Sequence, residues 1–399
     1  MAAKSLKSSS AASRRSRFGR GVTSPDVAGA NGANGAGAKP AGENGRGSTA
    51  RPGRTPRMQD IADAAGVSQS TVSRVLTGAP NAIPITPATR ERILETARQM
   101  HYRPNPLARG LRGARTMLLG VIVREITDPF FPGAIDAIST EATRRGYNVV
   151  LGHAHSRADE AIALRAVLET RHCDAILLVG DTSDQPRLME DLRDTNSPVV
   201  GLWQGTAPVS GISIIGVDNR FGISGLMDHL LGLGHRKIAF VGGAFSEGRL
   251  IGDLGERRSA FLQRSADLHL EMPEGFVRDA RNTLAGGAGA LTALMALSER
   301  PTAIVFSTDV LAIGALHAAA EMGLDVPGEV SIVGFDDLPM AEYTTPALTT
   351  VHMPIAEMAA AAVRAAIDEG EDSEVKVLEI IKPAIVIRRS SGPAPDRGR

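Results

Sequence analysis

The stretch DIADAAGVSQSTVSRVL, residues 60–76, decides the fold of the N-terminal part of the chain. Two short amphipathic runs flank a glycine, which predicts one helix over 58–65 and a second over 69–76. The apolar side chains of each run share a face, Ile61, Ala62 and Ala65 on the first and Val72, Val75 and Leu76 on the second. Gly66 supplies the left-handed backbone of a tight turn, and Ser68 can cap the second helix. The stretch therefore predicts a helix-turn-helix unit.

The polar side chains of the second helix belong to neither apolar face. Gln69, Ser70, Ser73 and Arg74 point outward when the apolar residues are placed inward. Amide, hydroxyl and guanidinium groups on the N-terminal part of such a helix are the groups that read base edges in the major groove of DNA. The alternative is that they are ordinary solvated positions, and the unit alone leaves that alternative open.

The sequence after this unit predicts a third helix. Thr86 and Pro87 form a helix start, and Ile93, Leu94 and Ala97 share one face of a helix that runs to about Met100. A proline-bounded segment, YRPNPLARGLRGART, follows. Asn105 can cap a helix in it, but about eight residues are too few for a stable helix alone, so we expect it to be ordered by DNA and a partner chain.

Charge is spread unevenly along the 399 residues, although the formal net charge is zero. Residues 1–54 carry a net charge of +8, residues 55–115 carry +5, and the remainder carries −13. A basic front on an acidic body predicts a polyanion-binding end joined to a soluble body. Residues 1–54 are rich in serine, alanine and glycine, which predicts a disordered tail. This tail could hold DNA loosely, or it could be a solvated leader or the product of a misassigned start.

The single cysteine, Cys173, excludes an internal disulfide and fits a reducing cytosol. Prolines and glycines interrupt the longest uncharged stretch, residues 196–217, and no apolar run follows the basic N-terminus. We therefore expect no membrane span and no secretory signal. The predicted location is the cytoplasm, in association with the nucleoid.

From Met117 onward, apolar runs alternate with helical patterns. The runs are MLLGVIV, YNVVLGHA, DAILLVG, PVVGLW, ISIIGV, KIAFVGG, TAIVFS and SIVGFDD. Continuous Val, Ile and Leu runs separated by helices predict parallel sheets covered on both faces. About nine such units exceed one doubly wound sheet, which predicts an α/β core of two lobes with a cleft between them.

This ordered series of motifs resembles the lactose/galactose repressor family of bacterial transcription regulators. The resemblance rests on the helix-turn-helix stretch, YRPNPLAR, DPFF, GHRKIAFVGG, VPGEVSIVGFDD and PALTTV, and covers about residues 56–390. It implies a DNA-binding headpiece, a hinge helix, and a dimerising core like the periplasmic sugar-binding proteins. The expected domains are a disordered tail (1–54), a helix-turn-helix domain (55–103), a hinge helix (104–115), a two-lobed core (116–390) and a disordered C-terminus (391–399).

The resemblance assigns roles in DNA binding residue by residue. It implies base reading by Gln69, Ser70 and Arg74, and phosphate contacts by Ser68, Thr71 and Ser73. It also implies that a hinge made by Asn105, Leu107, Ala108 and Leu111 enters the minor groove, with Leu111 as the wedge. Two departures are visible: Gly110 weakens the hinge helix, and the loop before the third helix is about three residues longer than usual.

The same resemblance implies an effector pocket. Its expected lining is Asp128, Phe130, Phe131, Trp203, Arg257, Thr308 and Asp336. Arginine and carboxylate groups engage vicinal hydroxyls, and an aromatic ring can face the apolar side of a sugar. Met353 and Thr308 replace amides of sugar-binding relatives, so a nucleoside or a modified sugar is the alternative ligand. We expect Arg257 and Asp336 to lie on strand-to-helix connections.

Other signals carry less weight. His153 and His155 are interpreted as polar loop residues, and AGGAGA at 285–290 matches no phosphate-loop pattern. We expect no enzyme activity, no metal and no cofactor. The prediction is a homodimeric transcriptional regulator, a repressor of a near-palindromic operator, controlled by a small-molecule effector, most simply a sugar. A cytosolic small-molecule binder without operator function is the alternative.

Overall fold

A computed structural model describes residues 56–77, 84–102, 115–153, 173–182, 188, 190, 192, 197–206, 211–244, 252–368 and 378–396. The hinge residues Asn105, Leu107, Ala108 and Leu111, the tail 1–54, and His155 lie outside the described residues.

The N-terminal unit is a three-helix cluster, α1 (Met58–Ala65), α2 (Gln69–Thr77) and α3 (Pro87–Gln99). Gly66 has φ +64° in the turn between α1 and α2. The Ser68 hydroxyl accepts the Thr71 amide at 3.2 Å, and the Thr86 hydroxyl accepts the Thr89 amide at 3.3 Å. The fully buried side chains are Ile61, Val72 and Ile93, one from each helix. The helix-turn-helix prediction matches this arrangement.

The core contains two parallel sheets. The sheet of the amino lobe has six strands in the order β11-β5-β4-β3-β1-β2, and the sheet of the carboxy lobe has four in the order β7-β6-β8-β9. Their bounds are β1 Leu118–Val123, β2 Asn148–His153, β3 Ala175–Val179, β4 Val199–Leu202, β5 Ser213–Val217, β6 Ile238–Ala244, β7 Val277–Arg281, β8 Ala303–Phe306, β9 Ser331–Val333 and β11 Leu378–Ile381.

Helices cover these sheets. They are α4 Phe130–Arg144, α5 Asn219–Gly232, α6 Gly252–Asp267, α7 Leu284–Met295, α8 Asp309–Glu321 and α9 Ile355–Asp368. Helix α9 packs on α4 and on β3, β4 and β5, so it belongs to the amino lobe although it comes late in the chain. Helix α5 packs against α6 of the carboxy lobe.

The chain therefore passes between the lobes three times, at 217–219, 352–355 and 381–384. Two short antiparallel strands, β10 (Thr350–His352) and β12 (Ala384–Val386), lie beside the second and third crossings. The α/β class with two lobes is confirmed. Parallel strands direct their carboxyl ends toward one edge, which places the loops of both lobes at the cleft.

Helices α7 and α8 approach each other closely, which explains Gly287 in the AGGAGA run. A Cβ on Gly287 would lie 1.9 Å from the Leu311 carbonyl oxygen, and a Cβ on Gly314 would lie 1.9 Å from that of Leu284. Glycine is required at both positions because backbone atoms fill the place of a side chain. Within the run, Gly287 serves helix packing.

The structure corrects three expectations from the sequence. Arg257 lies within helix α6 rather than on a strand-to-helix connection. Strand β7, VRDAR, was not predicted because it is a polar edge strand rather than an apolar run. Residues 391–396, expected to be disordered, instead pack on the carboxy lobe. Buried His235 bonds the Gly392 carbonyl at 3.0 Å, and the Ala394 amide donates to Leu233 at 2.8 Å.

Candidate functional site

Helix α2 presents a polar surface that its own packing holds in place. Val72 and Val75 are buried against α1 and α3, so the opposite side of the helix faces outward. Gln69 and Ser70 are exposed on that side. Arg74 is half-buried and its Nε donates to the Ser70 carbonyl at 3.3 Å, which keeps the guanidinium along the helix.

Hydroxyl groups cluster at the start of α2. The Ser68 hydroxyl lies 2.8 Å from that of Ser70 and 2.8 Å from that of Thr71. Ser68 is exposed, and Thr71 and Ser73 are half-buried. Hydroxyls beside the free amides of a helix N-terminus can donate to phosphate oxygens. This end of the helix therefore has the chemistry of a phosphate contact.

All seven residues that the sequence assigned to the pocket line one cavity between the lobes. They are Asp128, Phe130, Phe131, Trp203, Arg257, Thr308 and Asp336. Five further residues complete the lining: Arg124, Gly180, Asp181, Asp253 and Leu254. The free space among these side chains is about 60 Å³. A second cavity of about 460 Å³ adjoins it, with Asp128 in both walls.

Arg257 is the centre of the hydrogen-bond network in the cavity. Its Nη1 donates to Asp336 Oδ1 at 2.9 Å and to the Ser307 carbonyl at 2.7 Å. Its Nε donates to Asn219 Oδ1 at 3.0 Å, and its guanidinium carbon lies 3.7 Å from the centre of the Phe335 ring. The guanidinium is buried, but its hydrogen-bond donors have partners, so the group is held in one orientation.

Asp336 has an unusual backbone conformation and a carboxyl group with a raised pKa. Its backbone has φ +120°, a conformation that only the surrounding structure can maintain. Burial raises the pKa of Asp336 to about 7, although Arg257 acts to lower it. The group can therefore exchange a proton near neutral pH, either donating or accepting hydrogen bonds from a polar ligand.

Asp128 joins the two lobes at one rim of the cavity. Its Oδ2 accepts from Asn282 Nδ2 of the carboxy lobe at 2.7 Å, and its Oδ1 accepts the Phe130 amide at 2.9 Å. Burial raises the pKa of Asp128. Thr308 donates to Asn282 Oδ1 at 2.6 Å and also caps α8, so its hydroxyl is partly committed to structure.

Sequence reasoning missed the polar partners that α5 and α6 contribute. Asp253 is 7 % exposed, burial raises its pKa to about 6, and its Oδ2 has no hydrogen-bond partner among the described residues. Asn219 Nδ2 donates to Asp253 Oδ1 and to Glu256 Oε2, both at 2.8 Å. Asp253, Glu256 and Arg257 are spaced three and four positions apart, which would place them on one face of a helix. This spacing could have indicated the group, but only if Arg257 had been predicted to lie in a helix.

Three aromatic rings form the apolar wall of the cavity. The Phe130 ring meets the Trp203 ring edge to face at 5.0 Å and the Phe131 ring at 5.5 Å. The cavity thus combines an aromatic wall with a guanidinium and several carboxyls. Within the described residues, no group of three or more potential metal ligands is assembled, and no helix has the length and apolarity to cross a membrane.

Comparisons with known proteins match both parts of the chain. Residues 57–105 match the family described as bacterial regulatory proteins, lacI family, and residues 227–391 match the periplasmic binding protein-like domain. The HTH-type transcriptional regulator MalR of Streptomyces coelicolor is 34 % identical over 86 % of this chain and 99 % of its own length. The chain belongs to the lacI family.

Other lacI-family relatives have similar coverage. Catabolite control protein A of Priestia megaterium is 30 % identical over 76 % of this chain and 90 % of its own. The HTH-type transcriptional repressor PurR of Erwinia tasmaniensis is 30 % identical over 85 % of this chain and 98 % of its own. The chain is accordingly a DNA-binding transcriptional regulator, with a core of the kind that places lacI-family regulators under small-molecule control.

Solved structures agree with this fold. A transcriptional regulator CelR–cellobiose complex has a TM-score of 0.62 at 25 % identity, covering 84 % of this chain and 99 % of that one. A lac repressor dimer bound to operator and an anti-inducer has a TM-score of 0.73 at 23 % identity, covering 85 % and 100 %. The second comparison supports the lacI-family fold alone.

Proposed function

We propose that this lacI-family regulator is a repressor that binds a near-palindromic operator as a homodimer and is controlled by a sugar or sugar derivative in the cleft. The observation that carries the DNA-binding half is the α2 surface. A helix fixed by Val72 and Val75 presents Gln69, Ser70 and Arg74 on its solvent side, the arrangement that major-groove reading requires.

Phosphate contacts set the register of this helix on DNA. Ser68, Thr71 and Ser73 would supply them from the hydroxyl cluster at the start of α2 and the half-buried position beside Arg74. Asn105, Leu107, Ala108 and Leu111 would form the hinge at the minor groove, where Leu111 would act as a wedge that kinks the operator. Two chains would then contact two half-sites, with dimerisation through the core. The chain would act in the cytoplasm at the nucleoid.

The cleft chemistry supports a polyhydroxylated effector. The Arg257 fork and the carboxyls of Asp128 and Asp336 can hold vicinal hydroxyls, while Phe130 and Trp203 offer an apolar face. The cellobiose complex of a protein with the same fold is consistent with this class. A nucleoside remains the second candidate, because Met353 contacts Arg257 through sulfur at 3.9 Å where an amide would favour a sugar.

A mobility-shift titration on DNA upstream of the gene tests the operator function. Specific retardation that weakens as salt rises, and two chains per operator, are expected. Binding no tighter than to random DNA would favour the small-molecule binder without operator function. A thermal-shift screen of sugars and nucleosides then identifies the effector, since a ligand at about 100 times its Kd stabilises the fold by about 2.7 kcal/mol.

A further inference from the structure

The cavity between the lobes holds more carboxyl groups than cations. Four aspartates and two arginines line it. Asp336 accepts from the Arg257 guanidinium at 2.9 Å. The carboxyls of Asp128 and Asp253 instead accept from asparagine side chains and, for Asp128, from a backbone amide. Amide donors carry no charge, so these two carboxyls have no ionic partner among the described residues.

Asp253 is buried in the wall of this cavity with one oxygen unused. It is 7 % exposed, and its Oδ1 accepts from Asn219 at 2.8 Å. Its Oδ2 has no hydrogen-bond partner among the described residues. This holds in both protonation states, because an ionised oxygen would lack a donor and a protonated oxygen would lack an acceptor. A buried polar atom without a partner is costly, so the site favours a ligand that supplies a donor to Asp253.

The groups around Asp253 favour a positively charged donor over a neutral one. Asp181 of the amino lobe packs against the start of α6, where an added Cβ on Gly252 would lie 2.8 Å from the Asp181 carboxyl carbon. Glu256 lies one turn further along α6, and its Oε1 accepts the hydroxyl of Thr206, in the loop after β4, at 2.7 Å. Burial raises the pKa of Asp253, and repulsion from Glu256 and Asp181 adds to this effect. A neutral hydroxyl would leave the repulsion in place, whereas a cation would relieve it.

Arg257 lies near Asp253 but is engaged elsewhere. Its Nη1 donates to Asp336 and to the Ser307 carbonyl, and its Nε donates to Asn219. Its charge acts to lower the pKa of Asp253, yet burial outweighs this effect. The Arg257 guanidinium therefore leaves the unused oxygen of Asp253 for a donor from a ligand.

The space in the cleft suits a small cationic group attached to a larger ring. About 60 Å³ is free in the cavity that Asp253 lines, and about 10–15 Å³ is enough for one water. An ammonium group is close to a water molecule in size. The adjoining cavity of about 460 Å³, which shares Asp128, gives the attached ring further room.

We propose that the effector is an amino sugar, whose protonated amine binds Asp253 while its ring hydroxyls bind Asp128 and Asp336. The inference rests on the proposed effector cleft and names the class of sugar that the cleft takes. An ammonium group has three donors and a positive charge, so one contact satisfies the unused Oδ2 and offsets the surplus negative charge. A neutral sugar supplies a donor without the charge.

Sugars that differ in one substituent test the requirement for charge. Glucosamine, glucose and N-acetylglucosamine carry an ammonium, a hydroxyl and a neutral acetamide at the same ring carbon. The β-1,4-linked dimer of glucosamine and cellobiose form a second pair. Isothermal titration calorimetry in one buffer near neutral pH measures each dissociation constant. At least one amine should bind about tenfold or more tightly than its neutral partners, as expected for a hydrogen bond between two charged groups.

Asp253→Asn separates this contact from the rest of the cleft. The variant keeps an oxygen for the bond from Asn219 but loses the charge, so the preference for the amine should fall below about twofold. Binding of the neutral sugars should stay near that of the wild type. Asp267→Asn makes the same change at an exposed position of α6 and should keep the full preference. Circular dichroism and the melting temperature verify that both variants fold.

Three results would overturn the proposal. They are neutral sugars that bind as tightly as their amine partners, a wild type that binds none of the amines, and an amine preference that Asp253→Asn retains. Operator binding is assayed separately by mobility shift. Specific retardation together with a response to neutral sugars would reject the amino-sugar effector and keep the proposed repressor. Amine binding through Asp253 without specific retardation would reject the operator function alone.

Discussion

At the scale of single residues, Arg257 and Asp336 show how a buried charged pair can serve a polar ligand. The two are 79 positions apart in sequence and 2.9 Å apart in space, and both are almost fully buried. Burial of an unpaired charge is costly, so each keeps the other in the cavity. Ser307 and Asn219 hold the guanidinium in place, which leaves the carboxyl of Asp336 as the more adaptable partner.

The substitution Asp336→Asn should therefore impair the response to the effector. A hydrogen bond between a charged group and a ligand hydroxyl contributes about 1.5–3 kcal/mol, so about tenfold or more effector should be required. Operator affinity without effector should stay near that of the wild type, because the α2 surface is untouched. The measurement is effector titration of the operator complex once the effector is identified.

Asp337→Asn is the matched control for this experiment. Asp337 adjoins Asp336 but bonds Arg388 at 2.7 Å and does not line the cavity. The Asp337→Asn variant should respond to the effector at the same concentration as the wild type. A wild-type response from Asp336→Asn as well would mean that the effector binds elsewhere.

At the scale of elements, helix α2 packs on the headpiece with one side and presents its proposed DNA-contacting residues on the other. The buried valines fix its position in the headpiece, so substitutions on the exposed side should change DNA contacts with little effect on folding. Helices α7 and α8 differ from α2, because their backbones approach closely at Gly287 and Gly314 and leave no room there for a side chain.

Replacing Arg74 by alanine should lower affinity for the operator selectively. The loss of a base contact from a guanidinium is about 1–3 kcal/mol on the operator and small on random DNA. Arg300→Ala, which removes the same charge from an exposed site on the carboxy lobe, should change neither. Equal losses on both DNAs would identify Arg74 as a phosphate contact instead.

The glycines of α7 allow a stability test with an internal control. Gly287→Ala would place a methyl group against the Leu311 carbonyl, and overpacking of this kind lowers the free energy of unfolding by about 1–3 kcal/mol. Gly289 has no atom within 4 Å of an added Cβ, so Gly289→Ala should raise it by about 0.5–1 kcal/mol. Chemical denaturation measures both, and equal effects would contradict the packing account.

At the scale of the whole molecule, the two lobes bring carboxyl groups together around one cavity. Asp128 comes from the amino lobe, and Asp253 and Asp336 come from the carboxy lobe. Burial is the largest cause of the raised pKa of each. Neighbouring carboxylates add to it: Glu125 raises the pKa of Asp128, Glu256 and Asp181 raise that of Asp253, and Asp128 and Asp253 raise that of Asp336. The stability of the folded chain is consequently linked to pH.

The pH dependence of stability has a defined sign for Asp253. Its pKa rises from 3.8 to about 6 on folding, so the folded state binds the proton more tightly than the unfolded state. The contribution of Asp253 to the free energy of unfolding is therefore complete below about pH 4 and is lost as pH rises through about 6. The loss is at most on the order of 2–3 kcal/mol.

Asp253→Asn removes this titration. Relative to the wild type, the free energy of unfolding of the variant should increase between pH 4 and pH 7 in denaturant titrations, by no more than roughly the same amount. A difference between the two proteins that stays constant over that range would show that Asp253 does not titrate there.

The sequence by itself determined the local elements. Helices α1, α2 and α3 follow from 3.6-residue periodicity, from Gly66 in the turn and from Ser68 and Thr86 at the helix starts, all of which act over a few residues. The eight apolar runs each became a strand, and all but the edge strand β2 are buried, as continuous apolar sequence in a parallel sheet requires. The pocket residues were obtained by family resemblance, and the structure placed all seven around one cavity.

Only the tertiary structure decided which polar groups meet. Asp253, Asn219 and Glu256 were missed because their role depends on packing between α5, α6 and the loop after β4, which are distant in sequence. The same is true of the raised pKa values, which depend on burial, and of Gly287 and Gly314, whose necessity appears only when two helices touch. Periodicity acts along the chain, whereas desolvation and close approach depend on atoms that the fold brings from elsewhere.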